Sequence, residues 1–459
     1  MSIIEEMVRN VLGIRFESFD KETVEQAKNR MIDVIGCLIA GANAPGCRMM
    51  VDLVKKWGGK KESTILTHGA KIPAHNAAMV NSMMARSYDF EPVGTLMDGK
   101  DTPCHISGTT APTAIAVAEQ KSSSGKDLLT ALILGDDFAS RINAASNFSR
   151  DSGWDNTGTV NMFGATAIAG RLWGLDEHKM LNAFGIVLNQ MAGSFQSIYD
   201  GTHCFKLPQA LAARAGIFSV ELASQGFTGV KDPLLSKHGY FNLYCQNSCP
   251  EVLTKDLGKI FYADHTFKRY PSCGLTHAAI HCALELVHTH NLKSEDISTV
   301  TLNVTPIAYQ SFVGQQFEIG DMPQANAAFS LRYTVANALL RRGVRLEHFT
   351  EELIRDPKVV DLAKNMKLVG DMPGEKLFAT HLKVKTKDGK RFSVHMDNLK
   401  GDGIPNPLSG EEIKEKFRTN VSFSGVVAKE SAEKALDMLE RLDEVEDVKK
   451  IVRLIESRN

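Results

Sequence analysis

What the sequence lacks narrows its chemistry first. The 459 residues contain no G-x-x-x-x-G-K-[ST], no G-x-G-x-x-G after a strand pattern, no H-E-x-x-H and no G-x-S-x-G. Nucleotide-dependent, zincin and α/β-hydrolase chemistries therefore find no support. The eight cysteines, at 37, 47, 104, 204, 245, 249, 273 and 282, include no C-x-x-C pair. That spacing argues against a zinc ribbon or a ferredoxin-type cluster and fits reduced thiols used as small core residues. Long apolar runs are also missing. The longest, Val34 to Ala42, falls well short of the roughly 20 residues of a membrane span. The opening MSIIEEMVRN carries Glu5 and Glu6 where an export signal would be basic, so a cytoplasmic protein with no membrane partner is expected. A net charge of −1 leaves no electrostatic footprint for nucleic acid.

What is present reads as helix for most of the chain. Hydrophobic residues make up 43% and charged residues 23%, the balance of a globular enzyme. Asp20 is placed to cap a helix whose apolar positions run Val24, Ala27, Met31, Val34, Ile35 and Leu38. Further helices are predicted over Pro73–Arg86, Pro112–Glu119 and Lys126–Ala145, with Asp137 and Arg141 one turn apart in the last. From Asn161 the pattern is again helical and rich in Gly and Ala, as closely packed helices are. Asp176 caps the next helix, and Lys206 opens another that closes at Gly226.

No strand is predicted before residue 260. Beyond it, ISTVTLNV (297–304) alternates like a half-buried strand, and His381–Asp397 reads as a hairpin about Asp388-Gly389. Ala325–Leu340 and Val359–Leu368 read as helices, and Ser409 with Glu412 forms a capping box before a last helical stretch. The pattern is a mainly α protein: a helical body over 1–264 and 403–459, interrupted by an α+β module over 265–402.

Polar residues gather in five places. Ser87–Glu119 leaves a helix end, passes through a loop with Asp89, Glu91, Asp98, Asp101 and His105, and enters a small-residue helix. Gly153–Thr159 (GWDNTGT) is a polar turn. Gly201–Lys206 ends on a lysine at a helix N-terminus, where the macrodipole disfavours a cation. Phe267–Cys273 carries Lys268 and Arg269 and is followed by His277, and Ser330–Tyr333 is the fifth. Taken singly, each has a structural reading, since a histidine near a helix end is usually just a satisfied polar group. His277 and His281 are one turn apart, but no carboxylate or cysteine with ligand spacing joins them. Taken together the five outline a pocket for a small polyanion. Cations would hold its carboxylates, and a carboxylate or imidazole would move a proton.

In their order and spacing these segments resemble the MmgE/PrpD family, which includes 2-methylcitrate dehydratases, cis-aconitate decarboxylases and iminodisuccinate epimerases. The resemblance runs through DFE at Asp89–Glu91, His105 and the following ATAIAVAE-like helix, GWDNTGT at 153–159, and GLD at Gly174–Asp176. It continues in GFTG at Gly226–Gly229, KRYPSCGLTH at Lys268–His277, FSLRYTVA at Phe329–Ala336, and NPLS near the C-terminus. It covers nearly the whole chain. It implies a large all-helical domain built from both chain ends, an inserted smaller α+β lid domain, a homodimer, and catalysis with no metal and no cofactor. By motif it implies catalytic roles for Asp89, His105, Lys206, Lys268 and Tyr333. It also implies substrate contacts from Lys206, Lys268, His277 and Thr157.

The departures from the family pattern are informative. Where the family reads D-F-D-D-T, this chain reads Asp89-Phe90-Glu91-Pro92-Val93, and His105 follows only after an insertion between Pro92 and Pro103. In GWDNTGT the family's usual histidine is replaced by Asp155, which can act as a base but not as a cationic donor at neutral pH. Asp155 joins the catalytic candidates, and the insertion is expected to face it and set the substrate. The function expected is a dehydratase-like, cofactor-independent lyase abstracting a proton α to a carboxylate of a small di- or tricarboxylic acid. Epimerisation keeps that proton abstraction and returns the proton, and cis-aconitate-type decarboxylation shares the same electrostatic core. A catalytically silent binding homologue is the alternative from another class.

Overall fold

The computed structural model describes residues 1–149, 153–396 and 408–456. Within these residues the protein is mainly helical. The body is organised around the buried helix Leu207–Ser224, which packs on Ala74–Arg86, Ser107–Lys121, Val160–Trp173 and Glu177–Val187. Small residues permit these contacts. A Cβ on Gly135 would come within 2.8 Å of the Gly164 carbonyl oxygen, and one on Gly216 within 2.5 Å of the Ala165 Cβ. Gly125–Ala145, Val160–Trp173 and Leu207–Ser224 therefore cross nearly backbone to backbone, which larger side chains would forbid.

The caps follow their chemistry. Asp20 accepts from the Thr23 N–H at the head of Lys21–Ala40, Asp176 accepts from Lys179, and Ser409 with Glu412 forms the reciprocal box. Asp137 and Arg141 pair at 2.8 Å. The Ser107–Lys121 helix begins well before the predicted Pro112 and contains that proline. A proline in a helix leaves the carbonyl four residues back without its N–H. Here that carbonyl, on Gly108, accepts instead from the Ser82 hydroxyl at 2.8 Å. The predicted helix Ala325–Leu340 is two helices, Pro323–Ala328 and Leu331–Arg341, because Ser330 leaves the helical region (φ −122°, ψ 118°) and caps the second.

The expectation of no strand before residue 260 is overturned. Ser63–Ile65 pairs with Ala70–Ile72, and Val93–Met97 pairs with Lys100–Thr102. The second hairpin is the insertion between Pro92 and Pro103. It turns on Asp98-Gly99, both at positive φ (52° and 74°), the two-residue loop that Asp-Gly specifies. Asp264–Thr266 completes a three-stranded sheet, with Val93 opposite Thr266 and Thr95 opposite Asp264.

A four-stranded sheet lies later in the chain, in the spatial order Lys367–Val369, Ile297–Val304, Thr380–Thr386, Arg391–Met396. The first pair is parallel and the others antiparallel. Alternate residues of Thr380–Thr386 are buried, and helix His277–Thr289 packs on this part of the sheet. Asp397, the last residue of the predicted hairpin, and the predicted boundary at 402/403 lie outside the described residues. Gly410–Ser424 returns to the Lys21–Ala40 helix: a Cβ on Gly36 would sit 3.2 Å from the Phe417 Cα, and Lys416 pairs with Asp33 at 2.7 Å. Among the described residues no single helix is long and apolar enough to cross a membrane.

Candidate active site

The Ala74–Arg86 helix ends at Arg86, and Asp89 reverses the chain with φ 49°, a left-handed conformation that aspartate tolerates better than most residues. The turn brings the Asp89 carboxylate against the Arg86 guanidinium. Glu91 Oε1 lies 3.0 Å from the same nitrogen of Arg86. The hairpin carries the chain out and back to His105, whose Nδ1 is 3.0 Å from Glu91 Oε1. The third strand of the sheet, Asp264–Thr266, leads almost directly to Lys268. Its Nζ donates to the Asp89 carbonyl oxygen at 2.7 Å and pairs with Oδ2 at 2.9 Å. The next carbonyl, Phe90, accepts from Lys416. Two buried lysines thus clamp the backbone of the DFE segment, one from each of two distant stretches of chain.

This cluster forms part of the wall of a cavity of about 390 Å³. Of the residues expected from the sequence, Asp89, His105, Asp155, Thr157, Lys268 and His277 line it. Asp155 caps the short turn Asn156–Gly158: its Oδ1 accepts from the Thr157 N–H at 2.9 Å and from the Thr157 hydroxyl at 2.7 Å. Lys206 and Tyr333 do not line the cavity. Lys206 is fully buried and donates to the Pro45 carbonyl at 2.7 Å, and burial pushes its pKa down. Tyr333 is buried between Phe317 and Phe349 and donates its hydroxyl proton to the His348 carbonyl.

Electrostatics separates the roles. Burial opposes charge on Asp89, but Lys268, Arg86 and His105 outweigh it and hold the carboxyl far below the usual range. Glu91 behaves likewise: burial raises it, Arg86 and then His105 lower it, and it falls to about 2. His105 is pushed down by burial and by the charges of Arg86 and Lys268, so its imidazole is neutral at pH 7. A neutral imidazole has one N–H. The 3.0 Å contact of Nδ1 with Glu91 Oε1 favours the N–H there over acceptance from Arg86 Nη1 at 3.5 Å, and Nε2, 3.7 Å from Asp89 Oδ1, then carries the basic lone pair. His277 is likewise kept neutral: burial and then Lys268 lower it to about 3.

Asp89, Glu91 and His105 also offer ligand atoms within 4.8 Å of one another, a grouping that can hold a metal. Arg86 and Lys268 lie among the same oxygens and already balance both carboxylates. A divalent cation would meet two positive charges there, so the residues do not fit one.

Sequence reasoning missed Arg86, although it stands three residues before Asp89 on the last helical turn, a spacing at which opposite charges meet. It named Glu91 as a loop carboxylate without seeing it as the partner of His105. It also missed the aromatic part of the wall, from Phe148, Phe195, Phe312 and Phe329, and the segment Glu375–Phe378. These residues are scattered through the chain and carry no local signature.

The fold and the site define a helical protein with a buried acid–base pocket, suited to moving a proton on a small molecule. Family models match almost end to end: the MmgE/PrpD N-terminal domain over residues 5–252 and the MmgE/PrpD C-terminal domain over 270–444. The chain belongs to the MmgE/PrpD family. It is 26% identical to a cis-aconitate decarboxylase of Aspergillus terreus, covering 96% of this chain and 93% of that protein. It is 25% identical to the cis-aconitate decarboxylase of Homo sapiens, covering 99% and 94%, and 23% identical to that of Mus musculus, covering 99% and 93%.

Proposed function

We propose that this protein is a lyase that acts on a small carboxylic acid by proton transfer at the carbon α to a carboxylate. The observation that carries this is the Glu91–His105 pair, set beside the ion-paired Asp89 and Lys268 in one cavity. His105 Nε2 takes the proton, and Glu91 orients the ring and steadies the imidazolium that forms. The C–H electron pair moves into an enolate-like carboxylate, whose growing charge Lys268 and Arg86 stabilise in a site of low dielectric. Expulsion of hydroxide from the β carbon, protonated as it leaves, gives an alkene and water. Run from a carboxylate instead, loss of CO2 leaves a carbanion, and a proton taken up from water through the His105 imidazole quenches it. No cofactor enters either sequence.

The relatives' printed activity, decarboxylation of cis-aconitate, supports loss of CO2 and a carboxylate-rich substrate. The resemblance to 2-methylcitrate dehydratases supports loss of water. Return of the proton to the same carbon would be epimerisation. We take the working form to be a cytoplasmic homodimer, which light scattering coupled to gel filtration tests. Proton NMR in D2O with a panel of small carboxylic acids tests the chemistry. Vinyl signals with loss of CO2 or water are expected from wild type and not from His105→Gln. Solvent deuterium at the α carbon with no new product would indicate an epimerase. Equal rates in wild type and His105→Gln would remove the proposed base.

A further inference from the structure

The helix at the centre of the body is open along one side. Leu207–Ser224 packs on four helices, and from Pro208 to Val220 every residue is buried except Leu211, Arg214 and Phe218. These three, continued by half-buried Glu221, follow one another at steps of three, four and three residues. They form a single seam along a helix whose other positions are mostly small or aliphatic, the composition of a helix enclosed on all sides.

A second helix widens the seam. Cys47–Trp57 also packs on Ala74–Arg86, and it exposes Met49, Leu53 and Trp57 at steps of four residues on one face. The two helices are tied at their starts, because Lys206, directly ahead of Leu207, donates to the carbonyl of Pro45, two residues ahead of Cys47. Further along, the Arg214 guanidinium lies 5.6 Å from the centre of the Trp57 ring. They therefore run side by side in one direction and share a face. Met49 is 73% exposed, Trp57 51%, Leu53 42%, Phe218 41% and Leu211 36%. Single apolar side chains at a surface need no explanation, but five on two adjoining helices make a patch of the kind that marks an interface.

The charges in the seam say what covers it. Arg214 stacks on Trp57 and has no ion pair among the described residues. Glu221 Oε2 meets His75 Nδ1 at 3.1 Å, and its Oε1 has no partner among the described residues. Phe218 stands between the two, four residues after Arg214 and three before Glu221. A two-fold axis through Phe218 turns the helix end for end. It sets Arg214 of each copy opposite Glu221 of the other, with both Phe218 rings at the axis. The seam is thus complementary to itself in charge and in apolar surface. A purely acidic or purely basic partner would satisfy one of these charges and repel the other.

We propose that the face formed by Cys47–Trp57 and Leu207–Ser224 is the contact between two copies of this chain, closed by antiparallel pairing of the two Leu207–Ser224 helices about Phe218. The proposal rests on the homodimer reading above and locates its interface.

The test combines light scattering after gel filtration with hydroxyl-radical footprinting of the whole protein. Wild type is expected to be a dimer in which Met49, Trp57 and Phe218 are protected relative to the urea-unfolded chain. Phe227 and Leu243, 57% and 56% exposed on other segments, should be labelled freely. Phe218→Glu brings two carboxylates together at the axis and should weaken the dimer about thirtyfold or more, whereas Leu243→Glu should leave it intact. Arg214→Glu should weaken it as well, and adding Glu221→Arg should restore it, because the reversed pair is complementary again. A dimer whose Met49, Trp57 and Phe218 are labelled as freely as Phe227 overturns this interface and leaves the homodimer reading standing. A monomeric wild type removes both and leaves the face to a different partner. A double reversal no tighter than Arg214→Glu alone overturns the antiparallel pairing. The wild-type footprint decides even if a variant does not fold.

Discussion

Lys416 donates to the Phe90 carbonyl oxygen at 2.7 Å, across 326 positions of sequence. The same ammonium pairs with Asp33 at 2.7 Å and lies 3.8 Å from the centre of the Phe90 ring. A C-terminal helix thereby fixes the residue between Asp89 and Glu91. Both charges are buried, so removing one strands the other, at a cost of roughly 3–5 kcal/mol. Lys416→Met is expected to lose stability of that order in urea denaturation and to lower turnover. Asp33→Asn combined with Lys416→Met should recover part of the stability, because no buried charge is left alone, but not the turnover. If the double variant regained full activity, the tether to Phe90 would have no role in placing the site.

The Glu91–His105 pair sets the pH profile. His105 must be neutral to accept a proton, and its pKa lies below the ordinary 6.5. The rate should therefore stay flat as pH falls through 6.5 and drop only at lower pH. Glu91 is among the partners that raise His105, so Glu91→Gln should move the acid limb lower still. It should also cut the rate by about 10²–10⁴-fold through loss of ring orientation. A pH–rate profile of α-deuterium exchange measures both. An acid limb at or above 6.5 in wild type would mean that another group titrates.

How much of this was legible depends on how local each signal is. Asp89, Lys268 and His277 sit in short motifs whose order identified the family, and the caps at Asp20, Asp176 and Ser409 follow from single residues and their neighbours. The Asp98-Gly99 hairpin was present in the sequence but escaped notice, because three- to five-residue strands show no period of their own. The Pro112 helix start was misplaced because the Ser82 hydroxyl that satisfies Gly108 comes from another helix. Lys206 drew attention as a cation at a helix start, yet it is fully buried away from the cavity and donates to the Pro45 carbonyl. The phenylalanine wall is assembled from positions more than 180 residues apart, Phe148 to Phe329, and only the folded chain brings them together.

His277 gives a stability prediction with a definite sign. Its folded pKa, about 3, lies below the unfolded value near 6.5. Between those values the unfolded chain binds a proton that the folded one refuses, so acidification favours unfolding. From pH 6.5 to pH 5 this group alone should remove about 1.6 kcal/mol, because the slope approaches 1.36 kcal/mol per pH unit only below the unfolded pKa. His277→Gln keeps a donor for the Ser272 carbonyl and should reduce the acid loss by about that amount, read from urea midpoints at the two pH values. An unchanged difference between the midpoints would show that the imidazole is protonated in the folded state.

The hairpin Val93–Met97 and Lys100–Thr102 ties specificity to stability. Gly94, Gly99 and Asp101 line the cavity, while Val93 and Thr95 pair with Thr266 and Asp264, just ahead of Lys268. His265 Nδ1 lies 2.8 Å from the Gly94 carbonyl, and the Thr95 and Ser140 hydroxyls share a buried hydrogen bond. The exposed pair of Asp98 and Lys255 adds little. Replacing Val93–Thr102 by Gly-Ser-Gly removes a wall of the cavity and also frees the strand that aims Lys268. Substrate preference should change, and stability should fall on the order of 2 kcal/mol from lost cross-strand pairs. Asp98→Val, outside the cavity lining, strains the left-handed tip; it should cost about 1 kcal/mol and leave preference nearly intact. The comparison separates the two effects. A deletion variant with native stability and altered preference would mean that the hairpin is only a specificity loop, and one with native preference would mean that it is only a prop for Lys268.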